Sequence, residues 1–452
     1  MSLLLIAITT FCGIILGKLL FKKWVNHLTI FSFILGGLIF FYELKLLPYV
    51  DIVPLAWFFI LFTFISFLFG ILTIISARNV ESKSVNSPQK SDIFLTIFTD
   101  DGKVVKFAIL FFTFIGFFVA IQRWIVLIHM FGSIPAVFIN AGVVYRLNVN
   151  REIKDFIPIL PNFVYVGIFL LGMYDAYKKK FSFMTLLPFI SIVIKELTYF
   201  GRGEILFALM EFLFSFFLFR HLLNEDPEKR FNFSKKNAVI VSTILIVFLV
   251  ASTSLVRISR GSYENFVGGN SQLKQLKGNF LISPSIYLYV SCDIGVFSKY
   301  IEHYSDNTKF GHNSFLFLYD FWARLTGEKR PAFYQRGYYI PMWANTGTMM
   351  RELHEDFGIA GIFLVPFLLG LITTWLWFKF YNENNLIVFA VLVYFYIIIG
   401  FSFLMMITRL NQWYFSLGLI IISIPILEKM ACRKNSQNLL KNGDQIILQK
   451  PF

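Results

Sequence analysis

Long apolar runs recur along this chain, and a helix needs roughly 20 mainly apolar residues to cross the hydrocarbon core of a bilayer. About eleven segments meet or nearly meet that length. In order they are Ser2–Gly17, Leu28–Leu47, Val53–Ser76, Phe107–Ile121, Ile157–Tyr174, Phe181–Ile194, Ile205–Phe219, Ala238–Leu255, Gly358–Trp377, Leu386–Met405 and Trp413–Leu427. Hydrophobic residues make up 57% of the chain and its mean hydropathy is +0.67, more than a soluble core requires. The expected fold is an all-α integral membrane protein with an N-terminal helix bundle over 1–255, a large loop over 256–355, C-terminal membrane helices over 356–428 and a basic tail over 429–452. The first apolar run lacks a basic front and a small-residue cleavage site, so no cleaved signal peptide is expected.

Loop charge gives the orientation. Lys18, Lys22 and Lys23 follow the first segment; Arg78, Lys83, Lys90, Lys103 and Lys106 flank the third-to-fourth connection; Lys178 to Lys180 follow the fifth. Arg220, Lys229, Arg230, Lys235 and Lys236 follow the seventh, and Lys429, Arg433, Lys434, Lys441 and Lys450 fill the tail. With about eleven spans these stretches share one face, which the positive-inside rule places in the cytoplasm. The amino terminus is then expected outside and the carboxyl terminus inside. Much of the net charge of +14 is thus ordinary cytoplasmic lysine, which needs no nucleic-acid partner. The cytoplasmic connections are short and carry neither G-x-x-x-x-G-K-[ST] nor G-x-G-x-x-G, which argues against an ATP-driven transporter and a cytoplasmic nucleotide-sugar enzyme. Asp100 and Asp101 read as a solvated pair in a charged loop, and the histidines and Cys12, Cys292 and Cys432 lack zinc or disulfide spacing. Neither a metal nor a cofactor is expected.

Arginine distributes differently from lysine. Arg123, Arg146, Arg151, Arg202, Arg257, Arg260, Arg324, Arg330, Arg336, Arg351 and Arg409 fall mainly on the outer face, where insertion bias does not put positive charge. The planar guanidinium binds phosphate in two contacts and is desolvated more readily than an ammonium, so it suits a diphosphate near the headgroup layer. Arg202 lies in the break Lys195-Glu196-Leu197-Thr198-Tyr199-Phe200-Gly201-Arg202-Gly203-Glu204 between two short apolar runs. Irregular backbone at membrane depth needs protein or a water-filled cavity around it. Two readings stay open for this break: a self-satisfied ion cluster closing a helical hairpin, or an Arg202 side chain directed into an outward cavity. Arg257 and Arg260 leave the eighth segment at the outer boundary. They are expected to meet Arg202 and Arg351 around one anion, with contact to ordinary lipid phosphates as the alternative.

The loop over 256–355 is far longer than a connector needs to be, and its aromatic residues, Tyr338, Tyr339 and Trp343 among them, supply surface for packing. Ile286–Ile301 is expected to form a helix on or partly in the membrane, with Asp293 and Lys299 facing a polar space. The loop ends in Asn345-Thr346-Gly347-Thr348-Met349-Met350-Arg351-Glu352-Leu353-His354-Glu355-Asp356. Helical spacing puts Arg351, His354 and Glu355 on one face, where His354 is a candidate general base toward a sugar hydroxyl.

These features together resemble the Wzy-type O-antigen and oligosaccharide repeat-unit polymerases. The resemblance lies in the Gly-Arg-Gly-Glu start of a short helix, the Arg-bearing exit into one large external loop, and the Asn-Thr-x-Thr stretch followed by Asp356-Phe357-Gly358-Ile359-Ala360-Gly361. It implies a GT-C-like glycosyltransferase in a bacterial plasma membrane. Such an enzyme joins undecaprenyl-diphosphate-linked repeat units into a surface polysaccharide, acting on a lipid-linked donor and acceptor among membrane lipids, and works with a chain-length regulator. It further implies that Arg202, Arg257, Arg260 and Arg351 bind the substrate diphosphate, that His354, Glu355 or Asp356 deprotonates the acceptor, and that Tyr338, Tyr339 and Trp343 stack on sugars. Related ligases carry a His before the corresponding helix entry, where this chain has Asn345 and Thr346. A polysaccharide flippase and a lipid-to-lipid ligase are the alternatives.

Overall fold

A computed structural model describes residues 3–81, 97–150, 152–153, 157–181, 183–223, 243, 284–304, 308–331, 335–340 and 343–448. The described chain is built from helices in the order α1 (Leu3–Phe21), α2 (His27–Glu43), α3 (Pro54–Glu81), α4 (Thr99–Phe131), α5 (Ile134–Ile139), α6 (Ala141–Val149), α7 (Phe163–Lys178), α8 (Leu187–Glu196) and α9 (Gly203–Leu223). Then follow α10 (Pro284–His303), α11 (Leu316–Thr326), the short antiparallel pair β1 (Tyr338–Tyr339) and β2 (Trp343–Ala344), α12 (Met349–Glu383), α13 (Leu386–Phe401) and α14 (Asn411–Leu448). Stretches in α1, α3, α4, α9, α12 and α14 are long and apolar enough to cross a membrane, and α2 and α13 are shorter apolar helices. The chain is an all-α, multi-pass membrane protein. The segment Ala238–Leu255, Arg257 and Arg260 lie outside the described residues.

Two compact units divide the chain, one from residues 1–86, 257–377 and 395–414 and the other from 87–256, 378–394 and 415–452. In the first unit α3 crosses α12 where Gly70 meets the Phe367 carbonyl and Gly370 meets the Phe67 carbonyl. A Cβ at either glycine would strike the partner backbone, so small residues are what allow these helices to touch in lipid, where no hydrophobic effect drives them together. His27, fully buried, bridges the same core through Nε2 to Thr374 Oγ1 at 2.9 Å and Nδ1 to the Tyr396 hydroxyl at 3.3 Å. An apolar cavity of about 540 Å³ opens between α1, α2 and α3, walled by Leu35, Ile39, Trp57, Phe58 and Phe64.

The loop helix α10 is laced to the α2–α3 connection by hydroxyl groups. Tyr49 and Ser291 share a hydrogen bond of 2.7 Å, the Val53 amide donates to Ser298 Oγ at 2.9 Å, and the Tyr287 hydroxyl donates to the Phe41 carbonyl. The Tyr42 hydroxyl donates to the Val50 carbonyl at 2.7 Å while its ring fills the space beside Gly295. These bonds satisfy backbone groups that the turn between two membrane helices leaves over. They fix α10 as the floor under the site described below.

In the second unit α4, α7, α8 and α9 pack as a bundle, and α5 and α6 fold back as a hairpin at the end of α4. Phe200 adopts a positive φ of 50° and is wholly buried among Leu127, Val137, Ala141 and Val144. A non-glycine residue held there costs on the order of 1–3 kcal/mol, which the burial of its ring offsets. The α8–α9 break is thereby pinned from the hairpin side.

Candidate functional site

The first turns of α12 carry the densest polar cluster described in the first unit. Gly358 has φ 60° and ψ −146°, a conformation open essentially to glycine, and it separates the segment 349–357 from the long apolar part of the helix. Gly361 then lies against the Leu353 carbonyl with no room for a Cβ. The Gly-x-x-Gly spacing thus folds the polar segment back on the membrane helix. Its far side is tied down as well: the Met349 amide donates to the Ser402 carbonyl at 2.9 Å, and the buried Glu352 carboxylate accepts from Arg409 and from the Met406 amide.

Arg351 lies at the centre of this cluster with no solvent exposure. Its Nε donates to Glu355 Oε1 at 3.1 Å and its Nη2 to the Arg336 carbonyl at 2.7 Å. Aromatic faces enclose it, the guanidinium lying 5.5 Å from the Tyr300 ring centroid and 5.3 Å from that of Tyr338. Nη1 is buried and has no hydrogen-bond partner among the described residues. Leaving a charged donor in that state costs at least about 1–3 kcal/mol, so the fold retains an unused contact for an acceptor.

His354 points to another part of the same cluster. Its Nδ1 shares a hydrogen bond of 2.9 Å with the Tyr300 hydroxyl, and its ring meets Tyr304 edge-on at 4.7 Å and Phe59 of α3 at 5.3 Å. Burial, followed by the Glu355 carboxylate, raises the Tyr300 phenol above its ordinary range. A phenol that keeps its proton is the donor, which leaves the proton of neutral His354 on Nε2. Tyr300 therefore connects Arg351, through its ring, to His354, through its hydroxyl.

The two carboxylates that follow have different surroundings. Glu355 accepts from Arg351, from Lys309 Nζ at 3.1 Å and from Asn313 Nδ2 at 3.0 Å. Asp356 is fully buried and accepts the Asn313 amide at 2.9 Å, the Ser314 amide at 2.6 Å and Asn313 Nδ2 at 2.9 Å. Asp356 holds the turn at 311–315 in place, and Glu355 keeps Arg351 in position. Among the sugar-stacking candidates, Tyr338 reaches the Arg351 cluster, whereas Tyr339 and Trp343 are exposed, Trp343 lying over Gly337.

Arg202 belongs to the second unit, partly buried after the Phe200 turn. In the same break, Lys195 Nζ pairs with Glu204 at 2.6 Å, Tyr165 donates to the same carboxylate at 3.2 Å, and the Glu196 carboxylate rests against Gly201 where a Cβ would stand. Arg123 is a structural clamp: it donates to Thr198 Oγ1 at 3.1 Å and to Asn148 Oδ1 at 2.5 Å, and stacks 3.7 Å over Tyr199. Arg324 and Arg330 gather at Asp320 on α11.

Beside the Arg351 cluster lies the fully buried Asp293 of α10, whose Oδ1 accepts from Cys292 Sγ at 3.8 Å, while the same sulfur meets Thr346 Oγ1 at 3.6 Å. Burial raises its carboxyl to about 7. Tyr300, Lys309 and Asn313 are site residues that motif reading did not assign, and Asp293, expected to face a polar space, is wholly buried instead. The signal for Tyr300 is helical spacing, since Asp293 and Tyr300 stand seven residues apart on one face of α10. Among the described residues no group of three or more His, Cys, Asp or Glu side chains is placed to hold a metal ion. Compared with protein-family models, curated proteins and solved structures, the chain finds no match.

Proposed function

We propose that this protein is a membrane glycosyltransferase that joins oligosaccharide units carried on a polyprenyl diphosphate, undecaprenyl in a bacterial plasma membrane, into a surface polysaccharide. The observation that carries this reading is Arg351: a buried guanidinium between two aromatic rings whose Nη1 has no partner among the described residues. An anionic oxygen completes its donor set, and Tyr338 offers a face for a sugar ring beside it. As the glycosidic bond breaks, negative charge grows on the departing diphosphate. A fixed, desolvated arginine stabilises that charge more than the starting state, which is the kind of interaction that accelerates the step. In this reading about eleven spans form a GT-C-like bundle and 256–355 is extracytoplasmic, so that the lipid-linked donor and acceptor meet on the outer face.

Purified protein incubated with lipid-linked repeat units tests the proposal. A ladder of products differing by one repeat unit is the expected result. A single transfer to a different lipid would identify a ligase, and movement of the substrate across vesicle membranes without new bonds would identify a flippase.

A further inference from the structure

Helix α11 has its two faces the wrong way round for a segment that meets only water. Leu316, Asp320 and Ala323 form the face packed on the protein, and all three are buried. Opposite them, Leu318, Phe321, Trp322 and Leu325 follow the i, i+3, i+4, i+7 pattern of a single helical stripe and are 50%, 55%, 59% and 67% exposed. An aspartate is thus turned inward and four large apolar side chains outward. At about 100° per residue, Tyr319 and Arg324 flank the stripe on its two sides. Single exposed apolar residues are ordinary on any protein, but a stripe of four on one helix marks an interaction surface.

What the stripe meets follows from where the helix stands. Just before α11, the Phe310 ring lies 6.1 Å from that of Phe357, the residue ahead of Gly358, where the long apolar part of α12 begins. In the first turn of α11, Phe317 stacks at 5.4 Å on Tyr414 near the start of α14, and the Ser314 carbonyl accepts from Thr408 Oγ1 at 2.7 Å. Both α12 and α14 contain stretches long and apolar enough to cross a membrane, so α11 begins at the level where two spans begin. A helix with an exposed apolar stripe at that level fits the boundary between headgroups and acyl chains. Tyr319 and Trp322 carry the ring types that settle there. Arg324 and Arg330 sit at the same end of the helix, 2.8 and 3.9 Å from Asp320, which offsets part of their charge.

We propose that α11 is an in-plane membrane helix, with Leu318, Phe321, Trp322 and Leu325 sunk in lipid at the bilayer interface. This seat depends on the multi-pass fold and is independent of the glycosyl-transfer reading. It also bears on the Arg351 cluster. The turn that opens α11 is the one Asp356 holds through the Asn313 and Ser314 amides, and Asn313 Nδ2 reaches Glu355, the ion-pair partner of Arg351. One turn of chain therefore ties the lipid-facing stripe to the cluster.

The test is a depth measurement by spin-label EPR on full-length protein reconstituted in vesicles of phosphatidylcholine and phosphatidylglycerol. The exposed Cys12 and Cys432 are replaced by serine, and the buried Cys292 is left in place. Labels are attached one at a time through Leu318→Cys, Phe321→Cys, Trp322→Cys and Leu325→Cys on the stripe, with Glu328→Cys and Lys329→Cys, both exposed beyond the helix, as positions in water. Molecular oxygen concentrates in lipid and a nickel chelate in water, so the ratio of their collision rates reads depth. That ratio is expected to be several-fold higher at the four stripe positions than at 328 and 329. A stripe as open to nickel as Glu328→Cys would mean that α11 stands in water, which overturns the membrane seat. Exclusion of both probes from the stripe would mean that a second copy of this chain covers it, which overturns the seat equally. Agreement among the four positions keeps the outcome decisive if one variant fails to insert.

Discussion

Arg351 and Glu355, one helical turn apart on α12, form an ion pair of 3.1 Å, and Glu355 is held in turn by Lys309 and Asn313. The pair leaves Arg351 oriented but not saturated, because Nη1 lies outside it. A buried, pre-positioned guanidinium with a spare donor is suited to an anionic ligand whose charge increases during reaction.

Arg351→Lys keeps the charge and loses the fork. An ammonium cannot reach Glu355, the Arg336 carbonyl and a ligand oxygen with the same planar geometry. The expected result is a fall in kcat/KM for ladder growth of about 10- to 100-fold, with the variant still inserted and monodisperse by size-exclusion chromatography.

Tyr300→Phe removes the donor that sets the tautomer of His354. Nitrogen NMR of histidine-labelled protein is expected to show a neutral His354 carrying its proton on Nε2 in the wild type and a mixture of tautomers in the variant. An unchanged Nδ1 signal in the variant would mean that another group orients the ring.

Gly358→Ala forces an L residue into a conformation that only glycine adopts readily, and Gly361→Ala drives a Cβ into the Leu353 carbonyl. Each is expected to lower stability by about 1–3 kcal/mol, read as a reduced Tm in detergent. Gly142→Ala is the control: it lies in α6 with nothing near its Cβ position and should be neutral or slightly stabilising.

Asp293 predicts a pH dependence of stability with an unusual sign for an aspartate. Its folded carboxyl titrates at about 7 and its unfolded one at the ordinary value of 3.8, so the folded protein binds more protons between those limits. Stability therefore falls as pH rises from about 4 through about 7, by a few kcal/mol at most, and the penalty is complete above the folded value. Asp293→Asn should raise Tm relative to wild type at pH 8 and make little difference at pH 4, measured by thermal unfolding at both values. A residue kept for stability alone would show the opposite at pH 8.

Much of the helical framework follows from the length of the apolar runs. The segments starting at Ser2, Leu28, Val53 and Leu386 lie almost where α1, α2, α3 and α13 form, because a run of apolar residues satisfies its own backbone only as a helix in lipid. The boundary at Gly358 was less legible. Polarity places the end of the loop there, yet the polar turn 349–357 is itself helical, with its charges paired internally through Glu355 and Arg409. Spacing on α12 correctly groups Arg351 with Glu355. It does not reveal that Asp356 caps a turn at 313–314 or that Tyr300 stands between Arg351 and His354, since those partners are 40 to 60 residues away and contact across loops leaves no periodic trace. The clamp that Arg123 places on Thr198 and Asn148 was not legible, for the same reason.

Ladder growth from purified lipid-linked repeat units, run side by side for wild type and Arg351→Lys at equal amounts of folded protein, tests the central claim most directly. The wild type should extend chains by successive repeat units, and the variant should do so about 10- to 100-fold more slowly. Absence of any ladder from the wild type, or equal ladders from the two, would contradict it.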